Sequence, residues 1–183
     1  AGQGAFSCVM DFCTQELGNH AHGSNISAGE GRLTAAGLGG TPQIVAPGCY
    51  DLVDIVGWQA VPDKWAEHPL HAHNRLISSV VLNDEERRLV ARAHAAQLAT
   101  ARGPVAIILP AQGLGEWDRE GADLHDKQGL AAFMDEMHAC MPDTVEVHDI
   151  DCHINDPAFA DKALEIFDRW VAAGLVPMGT GSG

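Results

Sequence analysis

Asp151, Cys152, His153, Ile154, Asn155, Asp156 and Pro157 follow directly on the apolar alternation of Thr144 to Ile150. A strand that ends in an imidazole, an amide and a carboxylate suits acid–base work, or the holding of an anion or a metal-bound water. Asp156 is placed to cap the next helix, because a short carboxylate accepts unpaired backbone N–H groups and Pro157 at the first helical position has none to leave unpaired. In this reading His153 is the acid–base group, and Asp156 and Asp51 orient it or hold a cation. A structural reading stands beside it: Asp156 only caps, Asn155 forms an Asx turn and His153 is a hydrogen-bonded spacer.

Other residue types fit the same chemistry. Asp51 follows the short β run Gln43 to Ala46 and its stop, Pro47-Gly48, while Gly113 lies in a further strand-end loop, Gln112 to Gly115. Arg32 is the expected partner for an anionic group. Glu16, Gly48, Asn74, Gly113 and Asn155 complete the expected substrate-binding set, with Gln112, His125 and Asp126 as further polar candidates. His71 and His73 alternate, and on a strand both rings would point the same way, as metal ligands do. Paired histidines in a loop with Trp and Pro more often pack or lie exposed, so no metal is the first expectation. Cys152 and His153 are adjacent on an extended chain and face opposite ways, which makes Cys152 a packing residue rather than a nucleophile. Cys49 lies nearer the rim, with burial as its alternative. No GxSxG, HExxH or P-loop pattern occurs.

The elements that must position these residues repeat in the order strand, loop, helix. Phe6 to Phe12 reads as a strand, with Thr14 before a short helix toward His20, and Gly29 to Ala36 as a second short helix. Residues 57 to 73 carry two tryptophans and three histidines without a clear period and read as a long loop or lid. Leu76 to Leu82 is a strand, and Asn83 with Glu86 forms a capping box for a helix to about Ala101. Val105 to Leu109, apolar throughout, belongs in the middle of a covered parallel sheet. Helices are expected over 126 to 140 and from Pro157 to about Ala173. The fold class is therefore α/β, an open, mainly parallel Rossmann-like sheet with helices on both faces. Right-handed crossovers place the loops after Ala46, Leu109 and Ile150 on one edge.

Composition bounds the function. A chain of 183 residues with 46% hydrophobic content fits one domain. That domain is expected over residues 1 to 178, with 179 to 183 as a flexible tail. The formal net charge of −14 repels phosphate backbones and anionic lipid, so neither nucleic acid nor membrane is an expected partner. Five cysteines without CxxC spacing suit a reduced, cytoplasmic chain. No leader or membrane span is read from the sequence.

Several stretches taken in order carry a resemblance. They are Thr14-Gln15-Glu16-Leu17, Gly31-Arg32-Leu33, Thr41 to Gly48 with Asp51, His73-Asn74, Gly103 to Pro110 with Gly113, His125-Asp126 and His153 to Ala160. Together they resemble the C-terminal half of the tomato tobamovirus-resistance-protein-like family and its bacterial ATP-binding-domain homologues. The resemblance implies a two-domain α/β protein whose N-terminal half binds nucleotide, so ATP with Mg would enter through a half or subunit outside this chain. The leading expectation is a site for an organic acid or phosphorylated metabolite, shared with that half. The alternatives are a non-catalytic dimerisation and nucleotide-cleft module in a homo-oligomer, and a metal-dependent hydrolase using His71, His73 and His153.

Overall fold

The computed structural model describes residues 5–176, so the expected tail and the outermost residues of the expected domain lie outside the described residues. In chain order the elements begin with β1 (Val9–Asp11), α1 (Gln15–Ala21), α2 (Thr34–Leu38), β2 (Gln43–Val45) and β3 (Leu52–Val56). Next come β4 (Leu70–His71), β5 (Ile77–Val81), α3 (Asp84–Leu98) and β6 (Val105–Pro110), then α4 (Lys127–Cys140), β7 (Val145–Ile150) and α5 (Pro157–Ala172).

β1, β2, β6 and β7 form a four-stranded sheet in that order, every pairing parallel. All six residues of β6 are buried, as its unbroken apolar run requires of a strand covered on both faces. Alternate residues then serve different cores. Val45, Val105, Ile107 and Leu109 pack with Leu17, Val90, Leu98, Phe133 and Met137 from α1, α3 and α4. Ile44, Ala46, Ala106 and Ile108 pack with Phe159, Ala163, Ile166 and Trp170 of α5. The period of two along each strand is what divides these sets. The fold is thus a mixed α/β domain with helices on both faces of a parallel sheet.

The capping box at the start of α3 forms as expected: Glu86 N donates to Asn83 Oδ1 at 3.1 Å, and Asn83 N donates to Glu86 Oε2 at 2.9 Å. Other expectations change. The helix expected over Gly29 to Ala36 begins only at Thr34, so Arg32 sits in a turn. Leu76 to Leu82 is a strand, but β5 lies in a separate antiparallel sheet of order β3-β5-β4. The segment 57 to 73, read as a loop, contributes a 3-10 turn at Asp63–Trp65 and the two residues of β4. Trp65, fully buried beneath it, anchors this excursion to the core on the α1 and α3 side.

Candidate functional site

Backbone hydrogen bonds stitch the loops at the C-terminal ends of the parallel strands into one rim. Gly48 N donates to Phe12 O at 3.0 Å and Cys49 N to Leu114 O at 2.8 Å, which joins the loops after β1, β2 and β6. Gln112 N donates to Cys152 O and Ile154 N to Gly113 O, each at 3.1 Å, which adds the loop after β7. Thr14 Oγ1 donates to Ala46 O at 2.9 Å. The loops after Ala46, Leu109 and Ile150 therefore meet, as right-handed parallel topology requires.

His153 lies within this rim and is fully buried. Its Nε2 faces Gly115 O at 2.9 Å, while Asn155 N donates to its Nδ1 at 3.1 Å. With one nitrogen at a carbonyl and the other accepting an amide proton, both hydrogen-bonding positions of the ring are filled. It fastens the β6 loop to the β7 loop and has no nitrogen left for a reacting proton. Gly113 makes room for it: at φ +132° a Cβ there would come within 2.6 Å of His153 Cδ2. Asp156 stands at the cap position of α5 but makes no side-chain bond to the helix. Instead its Oδ2 accepts from His153 N and its Oδ1 from Arg119 Nη1, each at 3.0 Å. These two contacts hold its carboxyl below the usual range. The exposed Asn155 amide donates to Glu116 Oε2 at 2.9 Å.

The other expected residues divide. Asp51 is buried at the rim, and its Oδ1 has no protein hydrogen-bond partner. Burial, reinforced by the nearby Asp118 and opposed by Arg87, pushes its carboxyl up to about 6. Gly48 is a close-approach position, where a Cβ would fall 2.2 Å from Phe12 O. Arg32 is already engaged, bonded through Nη2 to Asp11 Oδ1 at 3.0 Å and through Nε to Glu16 Oε2 at 3.1 Å. Arg32 and Glu16 thus satisfy each other rather than facing a ligand. Asn74 sits in the turn between β4 and β5, where its Oδ1 accepts from Leu76 N and Ile77 N. His71 and His73 flank Trp117, with ring centroids 4.4 and 5.3 Å from it. Among the described residues no three His, Cys, Asp or Glu side chains are grouped to hold a metal ion.

The β6 loop, residues 111 to 118, separates two clefts. The larger, about 510 Å³, is lined by Gln112, Arg119, His125, Lys127, Asp151 and His153 among others. The second, about 390 Å³, lies among Phe12, Cys13, Cys49, Trp117, Asn155 and Phe159. His125 was one of the wider candidates, and here it has the geometry that His153 lacks. Its Nδ1 is bonded to Asp118 O at 2.9 Å and lies 3.7 Å from Asp118 Oδ1. Among the described residues Nε2 has no hydrogen-bond partner, and the ring lines the larger cleft. Asp118 is itself buried, its Oδ2 accepting Leu114 N at 3.1 Å, and burial pushes its carboxyl up. Beneath lies Arg87, fully buried, donating from Nε to Leu82 O at 2.9 Å and paired through Nη2 with Asp126 Oδ2 at 3.0 Å. Cys13 on the opposite flank carried no expectation beyond its place in the cysteine count. The signal that could have found it is its position directly after β1, on the same rim as Cys49.

A four-stranded parallel sheet flanked by helices, with polar and ionisable side chains gathered where the strands end, defines a mixed α/β domain. Comparison with known proteins makes this specific. The profile described as "Uncharacterised protein family (UPF0261) C-terminal domain" matches residues 1–171. The UPF0261 protein of Brucella melitensis biotype 1 is 49% identical over 98% of this chain, and that of Brucella suis biovar 1 is 48% identical over the same share. A UPF0261 protein of Rhizobium meliloti is 27% identical over 91% of the chain. The chain belongs to the UPF0261 family, as its C-terminal domain. It spans 43% of the length of either Brucella protein. The resemblance drawn from motifs is thereby corrected: the matched family and these relatives are UPF0261 proteins, and nothing in them points to a tobamovirus-resistance-like family. The stretches that suggested it are mostly turn, cap and buried-strand residues, which this topology demands of many sequences.

Proposed function

We propose that this domain supplies one wall of an enzyme site for a small organic acid or phosphorylated metabolite, with His125 as general acid or base. The observation that carries the reading is the larger cleft: an imidazole held by Asp118 through one nitrogen, its other nitrogen unbonded, beside Lys127 and Arg119. In a chain of net charge −14, Lys127, which has no ion-pair partner among the described residues, is the local donor an anionic ligand needs, while Arg119 beside it is paired with Asp156 and the carboxylates Glu120 and Asp151 also line the cleft. Lys127 opens α4, so its ammonium and the helix N-terminus act in the same direction. Asp118 fixes the His125 tautomer, and His153 keeps the loop that forms the cleft wall in place. The remainder of the longer protein would close the other side. A reducing, cytoplasmic setting is part of the proposal, supported by five free cysteines.

The test is a thermal-shift screen of organic acids and phosphorylated metabolites against the longer UPF0261 protein, followed by turnover of the hits. His125→Gln is expected to fold and bind but to lose about 10²- to 10⁴-fold in turnover, the usual share of a positioned acid–base group. Lys127→Ala is expected to weaken binding by roughly tenfold, as loss of one charge-assisted contact does. Hits that His125→Gln turns over at the wild-type rate would overturn the assignment.

A second reading, an assembly module, is supported by β1, which among the described residues pairs on one side only and leaves Met10 at 38% and the preceding Phe6 at 59% exposure. It predicts a dimer by light scattering that Met10→Lys abolishes. A chain monomeric at all concentrations would contradict it.

A further inference from the structure

Cys13 and Cys49 leave the ends of the neighbouring strands β1 and β2 and both line the cleft of about 390 Å³ on the far flank of the β6 loop. The backbone brings them together: Gly48 N donates to Phe12 O, and a Cβ on Gly48 would lie only 3.1 Å from Cys13 Cα. Cys49 is the sole non-glycine residue described with positive φ, at 59°. This conformation is disfavoured in residues other than Gly, Asn or Asp. It is held by the bond from Cys49 N to Leu114 O and turns the Cys49 sulfur inward, to 3.2 Å from where a Cβ of Gly115 would stand. Both cysteines line this one cleft, on neighbouring loops that are joined directly through Gly48 and Phe12. Cys13 is exposed and Cys49 half-buried, whereas Cys152 is buried in the α5 core.

We propose that Cys13 and Cys49 form a dithiol site that reduces a low-molecular-weight disulfide entering this cleft, Cys13 attacking and Cys49 resolving. The site is separate from the His125 cleft and does not depend on the function proposed there. The Cys13 thiolate attacks one sulfur of R–S–S–R. That S–S bond breaks, a Cys13–S–S–R bond forms, and RS⁻ leaves. Cys49 S–H passes its proton to the departing RS⁻, and its sulfur then attacks Cys13 Sγ. The Cys13–Cys49 disulfide forms, and the second RS⁻ leaves to take a proton from water. The small disulfide gains two electrons and the protein dithiol loses two.

Electrostatics assign the roles. The neighbouring Cys49 thiol brings the Cys13 thiol down to about 7, with a further contribution from Gln15 N–H, against desolvation and the carboxylates of Glu16 and Asp11. Cys49 is pushed up, by the same thiol pairing first, then by burial and by Asp51 and Asp54. An attacking thiol near neutral pH and a resolving thiol kept protonated until needed is the division that exchange chemistry favours. The cleft walls, Phe12, Leu114, Trp117, Ile154 and Phe159, suit an uncharged ligand.

The reduced 183-residue chain would be mixed with 2-hydroxyethyl disulfide, quenched in acid, alkylated and mapped by peptide mass spectrometry. The expected product is the Cys13–Cys49 disulfide, with Cys8, Cys140 and Cys152 reduced. Cys49→Ala should trap a mixed disulfide on Cys13, and Cys13→Ser should leave Cys49 unmodified. Cys49→Gly guards against misfolding, since glycine accepts a φ of 59° and should be at least as stable as wild type. Iodoacetamide labelling of Cys13 should be half-maximal near pH 7 in wild type and in Cys49→Ser, whose hydroxyl still donates, and shifted upward in Cys49→Ala. Absence of the 13–49 crosslink, labelling of Cys8 or Cys140 as fast as Cys13, or the same Cys13 midpoint in Cys49→Ala as in wild type would overturn the proposal.

Discussion

Asp51 and His94 are ionisable side chains taken out of water with no full set of partners, and they pull stability in opposite directions with pH. Burial raises Asp51 to about 6 from an ordinary 3.8, so the folded state holds its proton more tightly than the unfolded chain. Its penalty is complete above pH 6 and fades as pH falls through 6 toward 3.8. Burial lowers His94 to about 3 from 6.5, and neither ring nitrogen has a protein partner. Its effect is nil above pH 6.5, and stability is lost as pH falls from there toward 3. Asp51→Asn is therefore expected to raise stability by about 2–3 kcal/mol at pH 8 and by little at pH 4. His94→Leu is expected to flatten the acid limb, retaining about 3 kcal/mol that wild type loses by pH 4.5. Urea unfolding at several pH values checks both. An Asp51→Asn variant less stable than wild type at pH 8 would mean the carboxylate is already satisfied in the fold. If it is more stable but less active, that buried charge is kept for ligand chemistry.

At the scale of elements, the β6 loop is the part on which both clefts depend, and Gly113 is its most constrained position. Its φ of +132° and the 2.6 Å approach to the His153 ring leave an added methyl no room. Gly113→Ala is expected to cost about 2–4 kcal/mol from backbone strain and overpacking together, measurable by urea unfolding. A loss below about 1 kcal/mol would show that His153 does not hold the loop as described. β6, the α3 capping box and Pro157 at the start of α5 were legible in the sequence, because each is a local rule: an apolar run, a reciprocal pair, a ring without an N–H. β5 was legible as a strand but not its sheet, since alternation fixes a strand's faces and not its neighbours. β4 has two residues and no period of its own, so it exists only through its pairing with β5. In the candidate site, the rim was legible from topology, while the choice among its histidines was not. His153 and His125 differ in which nitrogens are already bonded, and that depends on Gly115 O and Asp118 O, backbone atoms whose positions no spacing encodes.

For the whole molecule, the question is how an acidic domain makes use of its strand ends. The rim binds together four loops far apart in sequence, and it leaves a cleft lined by His125 and Lys127 on one flank and a cleft lined by Cys13 and Cys49 on the other. Because the chain spans 43% of its Brucella relative's length, affinity in the isolated domain is expected to be weaker than in the longer protein, with the same residues responding. Comparing dissociation constants of the two forms checks this, and equal values would confine the site to the domain. The most direct test of the central claim is an amide and histidine side-chain NMR titration of this domain with an anionic hit from the thermal-shift screen. The account predicts that shifts concentrate at Gln112, Arg119, His125 and Lys127, with the His125 ring signals moving and those of the solvent-facing His20 and His138 unmoved. Saturable shifts centred elsewhere, with His125 silent, would contradict it.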